Sequence, residues 1–105
     1  MISIISKNKK RIEVLMQSKK VRYAFVFGSA CTNRFNENSD VDILIEFQED
    51  VEPLERGELW FELYDALLQI FKRDVDLLTT NQLKNPYFIA DINKTKKLIY
   101  ERKMS

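Results

Sequence analysis

RYAFVFGS at residues 22–29 and, ten residues further on, DVDILIEFQ at residues 40–48 decide how this chain is read. The first is an aromatic and β-branched run that stops at Gly28, the composition of a buried strand. The second alternates strictly. It places Val41, Ile43, Ile45 and Phe47 on one face and Asp40, Asp42, Leu44 and Glu46 on the other. Residues 29–39 between them are polar and read as a short helical turn and a loop.

Working outward, residues 49–57 contain Pro53 and Gly57 and read as a loop. Residues 58–72 carry the clearest helical period in the chain. Leu59, Trp60, Leu63, Tyr64, Leu67, Leu68 and Phe71 form one stripe, with charged and polar residues opposite. Residues 73–79 predict a short strand. Asn85-Pro86 opens a helix running to about Asn93, because proline suits a first helical turn. Residues 97–101 read as a strand or a last turn. Residues 3–18 have Ile5, Ile12, Leu15 and Met16 at helical spacing, with Ser3 or Ser6 as caps and a solvated face of Lys7, Lys9, Lys10 and Arg11. The order α-β-β-α-β-α, with an optional final β, predicts an α/β (α+β) fold: a small mixed sheet with helices packed on it.

The chain has 105 residues, 45% hydrophobic and 31% charged, which is a globular balance and the size of one domain spanning 1–105. Seventeen basic against sixteen acidic residues leave a net charge of +1. No global field drives it onto nucleic acid or an anionic membrane. The sequence has no histidine, which excludes Ser-His-Asp and Cys-His nucleophile systems and histidine-ligated zinc. One cysteine, Cys31, makes neither a disulfide framework nor a thiolate cage. Gly28 and Gly57 are the only glycines, too few for a dinucleotide or Walker loop. There is no bilayer-length apolar run and no signal-peptide order of charges, so the reading is cytoplasmic. Chemistry must therefore rest on carboxylates, hydroxyls, Lys/Arg or a hard metal.

Gly28-Ser29 and Asp40-Val41-Asp42 meet that requirement. A glycine at a strand end lets backbone approach a ligand. Ser29 opens a helical turn, where free N–H groups attract phosphate, and adds a hydroxyl donor. Asp40 and Asp42 leave the same strand face, and like charges that close are unfavourable at neutral pH unless a cation lies between them. An all-oxygen set favours Mg²⁺ or Mn²⁺. Asp76, between Val75 and Leu77, is the preferred third carboxylate. Asp74, two residues earlier on the same face and beside Lys72 and Arg73, is its rival.

Gly28-Ser29, then Ser39-Asp40-Val41-Asp42-Ile43-Leu44-Ile45, then Val75-Asp76-Leu77 resemble the signature of the DNA polymerase beta nucleotidyltransferase superfamily, and the size resembles its minimal (MNT) members. The resemblance runs from about residue 21 to residue 101. Asn85-Pro86-Tyr87 and Ile99-Tyr100-Glu101 are similar to that group's C-terminal pattern. It implies a polymerase beta-like palm fold and a magnesium-dependent transferase that moves a nucleoside monophosphate, AMP from ATP, to an acceptor hydroxyl. It implies that Gly28 and Ser29 hold the β- and γ-phosphates. It also implies that Asp40 and Asp42 bridge two metal ions, and that Asp76 completes the second and helps deprotonate the acceptor. The implied partner is a HEPN-type helical protein, with the transferase as antitoxin, and a homo- or hetero-oligomer is open to it. The chain departs from the group where Ala-Arg-Gly often follows Gly-Ser. Cys31, Thr32 and Asn33 stand there, and Thr32 supplies no charge. The rival function is an interaction subunit with weak catalysis that binds and restrains the same partner.

Overall fold

In the computed structural model, residues 3–28 and 40–102 are described. Their strands are β1 (Val21–Phe27), β2 (Val41–Phe47), β3 (Val75–Thr79) and β4 (Lys97–Glu101). They form one sheet in the order β3-β2-β1-β4. β1 is antiparallel to both β2 and β4, whereas β2 and β3 are parallel. The mixed sheet is the predicted fold class. A parallel pair cannot be joined by a tight turn and needs a crossover. The long helix α3 (Pro53–Phe71) makes that crossing.

One sheet face carries the main core. Ile12 and Met16 of α2 (Lys9–Ser18) and Leu63, Leu67 and Phe71 of α3 pack on Val26, Val41, Ile43 and Ile45. Each fully buried aliphatic side chain of this kind contributes about 1.5–3 kcal/mol. Every member of the predicted α3 stripe belongs to this cluster, either buried or packed against it. Trp60 stacks on Tyr64 at 5.2 Å between ring centres, and its indole N–H donates to the Leu77 carbonyl at 3.3 Å. That hydrogen bond ties the crossover helix to β3.

The opposite face is only partly covered. Phe27 and Leu44 are buried there under Ile92 of α4 (Pro86–Thr95). Asn85 caps α4 by accepting hydrogen bonds from the Tyr87 and Phe88 amides at 2.9 and 3.4 Å. Pro86 occupies the first turn as expected.

Several boundaries differ from the sequence reading. The loop expected over 49–57 is shorter, because α3 already begins at Pro53 and runs through Gly57. Proline is favourable at a first helical position, and one exposed glycine costs too little to stop a helix anchored by its apolar stripe. The N-terminal segment is two helices, α1 (Ser3–Lys7) and α2, broken at Asn8. The Asn8 side-chain amide donates to the Ile4 carbonyl at 2.9 Å, a local bond that competes with helix continuation. Ser6 lies inside α1 and caps nothing. Residues 97–101 form an edge strand, and 29–39 lie outside the described residues.

Candidate active site

Strand register assembles the site. Phe27 of β1 is opposite Asp42 of β2, and Asp42 is opposite Asp76 of β3. Partners directly across a sheet project to the same face. Asp42 and Asp76 therefore share the face that carries Phe27 and Leu44, at the end of the sheet where β1 stops. Asp40 lies just before β2 and is exposed.

Gly28 follows immediately. Its φ is +70°, a left-handed conformation that favours glycine. A Cβ at this position would overlap the Asp42 carboxylate. The missing side chain is thus what lets the end of β1 close against the acidic group. The Gly28 amide donates to the Thr95 hydroxyl at 3.0 Å. Thr95, the last residue of α4, pins the turn from the far end of the chain. Sequence reading did not find it, because nothing local marks a partner 67 positions away.

Partial burial, then the facing charges of Asp76 and Asp40, push the Asp42 carboxyl up to about 6. This is the like-charge conflict expected from Asp40 and Asp42, with Asp76 as the larger of the two charge contributions. Asp74 is not a contributor. It precedes β3, is exposed, and its backbone carbonyl accepts the Val41 amide at 3.0 Å. Register thus puts Asp76, not Asp74, opposite Asp42, and the expected difference in depth is absent. Asp76 is exposed, not sunk in the sheet, and register with Asp42 is what distinguishes it.

Carboxylates at one strand end, with Asp76 and Asp40 raising the pKa of Asp42, suit a hard divalent cation, because the donors are all oxygen and their charges are otherwise unbalanced. Among the described residues, no three acidic side chains already converge on a single point. Asp40 and Asp76 are exposed, so their side chains are free to turn toward Asp42. Ser29, the expected phosphate donor, and the Cys31-Thr32-Asn33 departure lie outside the described residues.

The site is thus a mixed four-stranded sheet with the Gly28 turn closed on the paired aspartates. The family model described as Polymerase beta, Nucleotidyltransferase matches residues 9–105. The chain belongs to the polymerase beta nucleotidyltransferase family. It is a nucleotidyltransferase by class. A Methanocaldococcus jannaschii protein named for protein adenylyltransferase activity is 38% identical over 97 residues, spanning 92% of this chain and 90% of that protein. A solved minimal nucleotidyltransferase superposes with a TM-score of 0.65 at 21% identity, covering 91% of this chain and 93% of the other. A chain from the complex of a tri-AMPylated Shewanella oneidensis HEPN toxin with its MNT antitoxin gives 0.58 at 21% identity, covering 93% and 73%. At those identities the structural likeness concerns the fold. No helix among the described residues of this nucleotidyltransferase is long and apolar enough to cross a membrane.

Proposed function

We propose that this nucleotidyltransferase transfers AMP from ATP to a hydroxyl of a HEPN-type helical partner protein, using magnesium or manganese, and so acts as an antitoxin. The observation that carries the reading is the in-register pair Asp42 and Asp76, on an open sheet face against a turn that only glycine fits. The adenylyltransferase name of the M. jannaschii relative and the AMP-modified toxin in the S. oneidensis complex support the choice of AMP and of a protein acceptor. Leu54 and Phe61, two turns apart on α3 and 82% and 66% exposed, add apolar surface that a partner would cover.

Asp40, Asp42 and Asp76 would hold the divalent cation. When bound, the metal offsets charge on the attacking and leaving oxygens and acidifies the acceptor hydroxyl. Gly28, whose missing side chain lets a phosphate come close, and Ser29, through its backbone N–H and hydroxyl, would hold the β- and γ-phosphates. Asp76, on the far side of Asp42 from Gly28, faces the side left for the acceptor. There it takes the hydroxyl proton as the acceptor oxygen bonds to the α-phosphorus. The bond from that phosphorus to the bridging oxygen breaks, and pyrophosphate leaves.

The test is transfer from ATP labelled at the α-phosphate, with magnesium, to a co-expressed helical partner. Label retained on the partner supports the reading, and label lost when the Asp42→Asn variant is used ties it to this site. A tight complex that takes up no label supports the rival reading of simple restraint.

A further inference from the structure

Resting on that reading, we infer that Lys96 is the cation that receives the terminal phosphates of the nucleotide. β4 runs antiparallel to β1 with Lys97 opposite Val26, so Lys96 lies beside the end of β1. Its covalent neighbour Thr95 holds the Gly28 amide at 3.0 Å. The Lys96 ammonium sits over the Phe25 ring, 4.7 Å from its centre. Phe25 is opposite Leu44, on the same sheet face as Phe27 and Asp42. Lys96 therefore projects its charge over the catalytic face, not the core face.

Read across the sheet, this end runs Asp76, Asp42, Gly28, Thr95 and Lys96. The acidic side and the basic side flank the glycine turn. That polarity matches a substrate whose reacting phosphorus lies at the carboxylates and whose polyphosphate tail extends over Gly28 toward β4. Among the described residues, no carboxylate lies within ion-pair distance of Lys96, so its charge is not already neutralised. A cation resting on an aromatic ring at an exposed site is held weakly and placed, not locked. The flexible stem of lysine lets it move from the ring onto a phosphate.

Lys96 is exposed and ends α4 through its backbone alone, its amide donating to the Ile92 carbonyl at 2.8 Å, so Lys96→Gln leaves the fold intact. The test is titration of the full chain with MgATP, magnesium tripolyphosphate and AMP by calorimetry. Lys96→Gln should weaken ATP and tripolyphosphate binding about tenfold or more, the loss expected for one charge-assisted contact. AMP binding should be unchanged, and Lys96→Arg should restore the loss. Wild-type binding of MgATP with equal binding by Lys96→Gln overturns this inference alone. A wild-type chain that binds neither MgATP nor tripolyphosphate overturns it together with the transferase reading.

Discussion

Replacing Asp42 by asparagine should abolish transfer and yet make the metal-free protein more stable. The Asp42 carboxyl is pushed from an ordinary 3.8 to about 6, by partial burial and by Asp76 and Asp40. A carboxylate whose pKa is raised on folding binds more protons folded than unfolded between those two values. Stability then falls as pH rises through that window, and the full penalty is present above pH 6. The shift is equivalent to about 3 kcal/mol, and solvent screening at this partly exposed site leaves roughly half of that. Asparagine keeps the shape and removes the charge. At pH 7.5 and low salt, the gain should be about 1–2 kcal/mol, or about 4–16 °C in Tm for a domain of this size. By pH 4 most of that gain should be gone, because folded Asp42 is then protonated and the unfolded side chain is only partly ionised. Magnesium should raise the Tm of the wild type and leave the Asp42→Asn protein nearly unmoved, since a ligand that binds only the folded state stabilises it by mass action. Thermal melts by circular dichroism at pH 4, 6 and 7.5, with and without millimolar magnesium, measure all of this. An asparagine variant less stable than wild type at pH 7.5, or a gain equal at all three pH values, would show that Asp42 is not in an unbalanced acidic cluster.

Asp76→Asn should lower kcat at least ~100-fold while MgATP still binds, whereas Asp74→Asn should stay within a few-fold of wild type in the same transfer assay. If the two swap, Asp74 is the third carboxylate. Gly28→Ala should cost about 1–2 kcal/mol from the left-handed backbone alone. It should cost less on top of Asp42→Asn if contact with the carboxylate matters, a coupling that urea denaturation of the double mutant reads directly. Thr95→Val should destabilise by about 1–3 kcal/mol by leaving the Gly28 amide without its acceptor, and Thr95→Ser should restore both stability and transfer. Gly57→Ala should stabilise by about 0.5–1 kcal/mol with transfer unchanged, because a Cβ there meets nothing within 4 Å and the residue lies inside an exposed stretch of helix.

Strong local signals were legible before any coordinates. The stripe Leu59 to Phe71 located α3, the alternation from Val41 to Phe47 located β2, and Asn85-Pro86 marked the start of α4. Signals that depend on weighing a breaker against distant packing were not. Pro53 and Gly57 suggest a loop, and only the apolar anchoring of α3 on the sheet carries the helix back to Pro53. Asn8 divides the N-terminal helix through a side-chain bond that hydrophobic periodicity does not encode.

The residue types of the site were determined by the sequence alone: no histidine, a glycine ending an apolar strand, and Asp40 and Asp42 two apart on an alternating strand. Their spacing is a local property legible in the sequence, although Asp40 lies just before β2 and only Asp42 is on the strand. Tertiary structure decided which later carboxylate stands opposite Asp42 and what holds the turn. Asp74 and Asp76 differ by two positions and share a parity, so strand alternation cannot separate them. The parallel register of β2 and β3 places Asp76 opposite Asp42. Likewise, Thr95 and Lys96 reach Gly28 and Phe25 only because β4 returns antiparallel to β1 on the side away from the aspartates. Pairing between strands far apart in the chain is set by how the whole core closes, and no local pattern of residues specifies it.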